Sequence, residues 1–481
     1  MIFVPSQPTR HPLATNSSRV HTCHTTDLST SHIPAQSIAP STDSHGPAPT
    51  EARPPSHFCH AASSTSEPSE PPSFTPPSPF SCSPTPLPSQ FKLGVSLSGG
   101  GIRAAVFHLG VLQYLAEIGC LERIAHISSV SGASLAIGLI YAKNDYHFPD
   151  SSTYLTHTLP SVRSTILKHD IQQRALMSLS LSPWNYRRKV NLLAKAIKTL
   201  WNIKGTVSSL PSSPLWSINC TTFETGKDFR ITQTEMGDYK VGYVLSPDIS
   251  IADAIAASAG FPVLIGPYRL STRNYGWAEI KKDPASGLHV SPCTQIPNQK
   301  YLHLWDGGVY DNLGLEALYK ISKGGHLTGN LDYLIISNAS LSSGCRTRDF
   351  FSPVGNLRRL LDITMDQVNA LRSRDVTDYF ARTGKGCYLK IGSLASSHAT
   401  SNSSSSSNSS SSSTSSSSST SFAPSTASAS DTFPSLSAQE ISFVKHYPTT
   451  LSSPSAKDFD LILRHGYEVA RNNLPPSKLQ P

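Results

Sequence analysis

Leu93-Gly94-Val95-Ser96-Leu97-Ser98-Gly99-Gly100-Gly101-Ile102-Arg103 is the stretch that decides how this chain folds. Leu93 to Leu97 predicts a short buried strand, and Ser98 to Gly101 is a turn too rich in glycine to be structureless chance. Ala104 to Ile118 then places Val106, Leu109, Val111, Leu112, Leu115 and Ile118 at helical spacing, a stripe broad enough to pack on a sheet, and Gly119 ends it. Ile124 to Val130 predicts the next strand and Ser134 to Tyr141 the next helix. Strand, helix, strand, helix argues an α/β fold on a parallel sheet.

Farther along, helices are expected at Leu159 to Met177, Lys189 to Ile203 and Ile251 to Ala259, the last stopped by Gly260 and Pro262. Strands are expected at Trp216 to Thr222, Phe229 to Thr232, Leu302 to Trp305 and Tyr333 to Asn338, the last two flanking a helix from Leu313 to Ile321. Asn356 to Arg374 sets Leu357, Leu360, Leu361, Val368 and Leu371 on one helical face, which is expected to pack in the core, with arginines on its flanks. Asp458 to Asn473 predicts a last helix that packs back on the body, and no internal repeat is visible.

Before Phe91 the texture differs. Residues 1–90 are Ser, Pro, Thr and His with few large aliphatics, too little apolar side chain to offset the entropy of ordering a backbone, so a disordered tail is expected. Residues 396–430 are serine-rich and read as an exposed insertion between a catalytic domain at 91–395 and a C-terminal segment at 431–481. The tail holds Arg10, Arg19 and Arg53 against Asp27, Asp43, Glu51, Glu67 and Glu70, so of 40 basic and 32 acidic residues, 37 and 27 lie beyond it. That excess favours anionic surfaces, although it is spread along the sequence without a Lys/Arg block. Eight cysteines, three of them in the tail and none in a C-x-x-C pair, suggest neither a disulfide scaffold nor a zinc site, and a reducing compartment fits best. His21, Cys23 and His24 cluster in the tail without a fold to hold them, so no metal is assigned. No segment approaches the ~20 apolar residues needed to cross a bilayer, so membrane contact is expected to be peripheral. The first 26 residues lack an acid, a feature shared with organelle transit peptides.

Three stretches carry chemistry. Ser131-Gly132-Ala133-Ser134-Leu135-Ala136 lies between strand and helix, where a sharp turn would present Ser134 as a nucleophile. Gly99, Gly100 and Gly101, with Arg103 beside them, lie on the preceding strand-to-helix turn. Their unshielded amides at a helix N-terminus suit an oxyanion. Nucleotide binding is disfavoured, because no Lys-Ser/Thr follows the glycines and the dinucleotide spacing is absent. Asp306-Gly307-Gly308 ends a strand, where its carboxylate can reach the same crevice.

Together these elements resemble the patatin-like phospholipase family: a G-G-G-x-R loop, a serine elbow about thirty residues later and a distal D-G-G. The resemblance extends to Ala257-Ser258-Ala259-Gly260-Phe261-Pro262 and to Asp306 through Leu313, and covers about Lys92 to Asn338. It implies a three-layer fold with a central, mostly parallel sheet flanked by helices. It also implies Ser134 as nucleophile, Asp306 as base, and Gly99, Gly100, Gly101 and Arg103 as oxyanion loop, with Ala136 departing from the usual glycine. The activity implied is hydrolysis of carboxylic esters in phospholipids or acylglycerols without a cofactor. A carboxylate with an ordinary pKa is a poor base for serine, so such a dyad needs a dry site that raises it.

Two other readings stay open. Ser134, Asp306 and His326 follow the chain order of an α/β-hydrolase triad, and the fold could serve as a lipid-surface or protein-binding module without turnover. A cytoplasmic protein peripheral to membranes is expected, with organelle targeting by the tail as the alternative and no nucleic-acid partner.

Overall fold

The computed structural model describes residues 91–479, apart from 182, 263–264, 284–286, 292–296, 322–323, 342–351 and 394–434. The expected tail and serine-rich insertion therefore lie outside the described residues.

The opening follows the hydrophobic pattern. β1 (Leu93–Leu97) is buried throughout and leads into α1 (Gly101–Glu117), then β2 (Ile124–Val130) and α2 (Gly132–Ala142). A one-turn α3 (Ser151–Thr153) precedes α4 (Leu159–Lys168), α5 (Ile171–Leu181) and α6 (Lys189–Leu200). The expected single helix from Leu159 to Met177 is thus two. The chain extends at His169, and the Asp170 carboxylate restarts the helix by accepting from Gln173 N at 2.7 Å. β3 (Leu215–Thr222), β4 (Asp228–Ile231), β5 (Glu235–Asp238) and β6 (Gly242–Leu245) follow, then α7 (Ile251–Ser258), β7 (Tyr268–Ser271), β8 (Trp277–Asp283), β9 (Gly287–Ser291) and β10 (Tyr301–Asp306).

After β10 comes a short α8 (Gly308–Asp311), where a helix from Leu313 to Ile321 was expected. Instead, the Asp311 carboxylate accepts from Leu313 N at 3.2 Å and Glu316 N at 2.8 Å, Gly314 turns left-handed, and a hairpin of β11 (Tyr319–Lys320) and β12 (His326–Leu327) follows. Side-chain bonds to nearby amides compete with helix propagation. β13 (Tyr333–Asn338), α9 (Pro353–Thr383), β14 (Gly386–Lys390), α10 (Ala438–His446) and α11 (Ala456–Asn473) complete the described chain.

The sheet runs β14-β13-β1-β2-β3, all parallel, and continues antiparallel through β4, β5, β6, β8 and β9, while β10 pairs antiparallel with β3 and β7. Alternate residues of β13 enter different layers, as the pleat requires. Tyr333 and Ile335 join the main core with α1 and α11, whereas Leu334 and Ile336 pack with Val376, Tyr379 and Phe380 of α9. Helices therefore cover both faces of the parallel half, giving three layers.

α9 departs from expectation. Only Val376, Tyr379 and Phe380, near its C-terminus, are buried. Leu357, Leu360 and Leu371 are exposed, Leu360 to 60%, so the face expected to enter the core does not. Its first turns extend beyond the packed layer, where Arg358, Asp362 and Met365 line a cavity.

Candidate active site

β2 ends at Val130 and α2 begins at Gly132, which leaves one residue to turn the chain. Ser131 does so at φ 54° and ψ −116°, a conformation that costs a non-glycine residue of order 1–3 kcal/mol. Such an elbow lifts its side chain off the sheet. Gly132 has to be glycine, because a Cβ there would lie 1.9 Å from the carbonyl oxygen of Gly101. The elbow and the glycine loop thus touch back to back. Ser131 N donates to Ser258 Oγ at 2.9 Å, which fixes the turn from the α7 side.

Ser134, expected to be the nucleophile, is elsewhere. It sits in the first turn of α2, fully buried, within a chain of hydroxyls. Trp216 Nε1 donates to Ser129 Oγ at 2.8 Å. Ser129 and Ser134 lie 2.9 Å apart, Ser134 and Ser258 lie 3.0 Å apart, and Ser258 donates to Asn219 O at 2.8 Å. The last bond uses Ser258's only proton, so Ser134 donates to Ser258 and Ser129 donates to Ser134. The Ser134 proton is committed to holding the elbow, and the structure does not bring this side chain to Asp306.

It brings Ser131 there instead. The β2 edge of β3 is vacated after Val130, opposite Asn219, and β10 takes the next position with Asp306 opposite Cys220. Asp306 ends its strand, as expected, but that strand runs antiparallel to β3. Its carboxylate accepts from Gly308 N at 2.8 Å, and the Ser131 hydroxyl is within hydrogen-bonding reach. Burial raises its pKa from 3.8 to about 6, and the Gly308 amide and the nearby Ser131 hydroxyl hold it from rising further.

The glycine loop is partly spent on structure. Gly99 N donates to Asn312 O at 3.0 Å and Ile102 N to Thr450 O at 2.7 Å. Gly99 is therefore unsuited to be an oxyanion donor, contrary to expectation. Gly100 and Gly101 precede or open α1, where first-turn amides have no intrahelical acceptor, and no other acceptor is found for them among the described residues. Arg103 does not offer its terminal nitrogens to the site either. Nη1 donates to Tyr447 O at 2.6 Å and Nη2 to Ala339 O at 3.1 Å, while burial lowers its pKa to about 10. It braces the loop between α10 and α11, whose Thr450 main chain lies against Gly101.

These parts border a cavity of about 420 Å³, a usual size for a small-molecule site. Gly100, Gly101, Ser131 and Asp306 form its polar end. Leu176, Phe261, Ile265, Leu341, Met365 and Leu451 supply apolar walls, and Arg358, Asp362, Asp366 and Asn369 come from α9. No histidine lines it among the described residues. His326 is exposed on the β11–β12 hairpin and does not border the cavity.

The serine that occupies the turn lies three residues before the one the sequence placed there. Ser129-Val130-Ser131-Gly132-Ala133 also has a serine flanked at two residues on each side by a small residue, and it lies directly on the strand end. The walls from α9 and from Thr449 to Leu451 left no local signal, because they reach the site only through packing.

Residues 95–319 match the family model described as Patatin-like phospholipase. Among curated proteins, "Cytosolic phospholipase A2 gamma" of Mus musculus is 45% identical over 47 residues, 10% of this chain and 8% of that protein. Among solved structures, human GIVD cytosolic phospholipase A2 aligns at 15% identity and TM-score 0.34 over 51% of this chain and 45% of its own. VipD from Legionella pneumophila aligns at 14% and 0.25 over 63% and 61%. The chain thus spans less than two thirds of the length of each of these proteins.

Proposed function

We propose that the patatin-like phospholipase domain at residues 95–319 makes this chain a lipid acyl hydrolase whose nucleophile is Ser131 and whose base is Asp306. The observation that carries this is the strained Ser131 elbow facing a buried carboxyl with a pKa raised to about 6, at the polar end of a cavity with apolar walls. A base poised near the working pH is what removal of a serine proton requires.

Ser131 Oγ attacks the ester carbonyl as its proton passes to Asp306, and the amides of Gly100 and Gly101 receive the developing oxyanion. Asp306 then gives the proton to the departing alcohol. Water then attacks the acyl-serine as its proton passes to the same carboxylate, and Asp306 returns that proton to Ser131 Oγ as the fatty acid is released. Ser134 and Ser258 position the elbow, and Arg103 positions the loop. The Leu176, Phe261, Ile265 and Met365 walls suit an acyl chain, and Arg358 in the same lining suits a phosphate-bearing headgroup, which favours phospholipids over neutral acylglycerols.

The test is release of labelled fatty acid from phospholipid and acylglycerol vesicles by wild type, Ser131→Ala and Asp306→Asn. Release by wild type that both substitutions abolish supports the dyad. No release from any ester by folded protein would replace it with the binding-module reading.

A further inference from the structure

The basic excess is not spread evenly. From Ile171 to Phe223 the chain has no aspartate or glutamate, yet it carries Arg174, Arg187, Arg188, Lys189, Lys195, Lys198 and Lys204. This run contains α5, a 3-10 turn at Pro183–Arg188, and α6.

α6 buries Val190, Leu193, Ala194, Ala196 and Ile197, and packs on α7. α5 packs on α6 and buries only Ile171. Ala175 and Leu179 are half-buried, but three larger apolar side chains face outward: Leu176 and Met177 are more than half exposed and Leu181 is 78% exposed. In the following turn Trp184 is 80% and Tyr186 65% exposed. A monomer surface rarely presents so many large apolar groups together. Around them, Arg174, Arg188, Lys195 and Lys198 are exposed, and Lys189 Nζ lies 3.9 Å from the centre of the Tyr186 ring.

The patch is continuous with the active-site cavity. Leu176 borders that cavity and also a second hollow of about 70 Å³ between α5 and α6, lined by Leu179, Leu192 and Leu193.

We propose that the α5–turn–α6 hairpin docks on a lipid bilayer carrying anionic headgroups, with Leu181, Trp184 and Tyr186 entering the interface and the cations meeting phosphates and carboxylates. Tryptophan and tyrosine favour the headgroup boundary, and cations add attraction that an anionic surface supplies. A second copy of the chain is a poor occupant, because a two-fold contact through this patch would oppose cations to cations with no acid between them. The inference rests on the acyl-hydrolase reading for its purpose: docking here sets the cavity against the substrate bilayer. Its physics stands apart from turnover.

The experiment measures partition of the full chain onto vesicles of phosphatidylcholine alone and of phosphatidylcholine with phosphatidylserine, at low and high salt. Wild type should bind the anionic vesicles at least about tenfold more tightly, and salt should erode the difference. Combined Leu181→Ser, Trp184→Ala and Tyr186→Ala should weaken partition on both vesicles by about tenfold or more. Combined Arg188→Gln, Lys195→Gln and Lys198→Gln should remove the preference for phosphatidylserine. Hydrolysis of a water-soluble monomeric ester should be unchanged in both variants. Should no ester be hydrolysed even by wild type, the enzymatic reading fails while partition still decides the docking surface. Equal partition of wild type and both variants would overturn the proposal. So would loss of an oligomer, or of an acidic protein partner, with vesicle binding intact.

Discussion

Ser131 and Asp306 meet because the strands that carry them share one edge of β3: Val130 pairs with Asn219, and Asp306 pairs with the next residue, Cys220. β2 stops there, β10 begins its pairing from the opposite direction, and the vacated edge becomes the site.

Ser131→Ala should lower acyl release by about 10³-fold or more and abolish covalent labelling by an alkyl fluorophosphonate, read by peptide mass spectrometry. Ser134→Ala should remain labelled at Ser131. Its cost falls on the hydroxyl chain from Trp216 to Asn219, on the order of 1–3 kcal/mol of stability. Label found at Ser134 would reverse the assignment.

In the proposed dyad the carboxyl of Asp306 must be ionised to accept the serine proton. With its pKa at about 6, kcat/KM should rise through that pH and level off above it, and Asp306→Asn should remove both the activity and the limb. A pH–rate profile that is flat from pH 5 to 8 contradicts this role.

Stability should respond in the opposite sense. The folded carboxyl holds its proton to about pH 6, whereas the unfolded one releases it near 3.8, so the native state binds more protons between those values and loses stability as pH rises through them. Above that window the buried charge is a constant cost. Asp306→Asn should therefore raise the melting temperature at pH 7.5, by the equivalent of about 1–3 kcal/mol, and change it little at pH 4.

Gly132→Ala would drive a methyl group into the Gly101 carbonyl, which is backbone and cannot swing aside. The expected outcome is overpacking of about 1–3 kcal/mol by denaturant titration, with the glycine loop displaced and turnover reduced about 10²-fold.

Arg103→Ala should free the loop after α10, because the carbonyls of Ala339 and Tyr447 lose their donor. Hydrogen exchange at Thr449 to Leu451 should accelerate, and Arg103→Lys, which restores one donor, should recover part of the protection. His326→Ala, on an exposed hairpin away from the cavity, should leave activity unchanged.

The sequence by itself determined the α/β class, the strand–turn–helix units that carry the glycine loop and the serine elbow, and the carboxylate at Asp306. Each is written in adjacent residues: alternation or helical spacing on either side of a turn that only small side chains permit. Tertiary structure decided which serine faces the carboxylate. Ser131 and Ser134 both sit between small residues, but the exact end of β2, set by pairing with β3 and by the contact of Gly132 with Gly101, puts one on the turn and the other inside the helix. It also decided which amides stay unpaired, because Asn312 and Thr450 come from distant segments. Finally, it left the first turns of α9 and most of α5 without a core to enter: an apolar stripe shows that a helix has a sticky face, and only the packed molecule shows whether anything covers it.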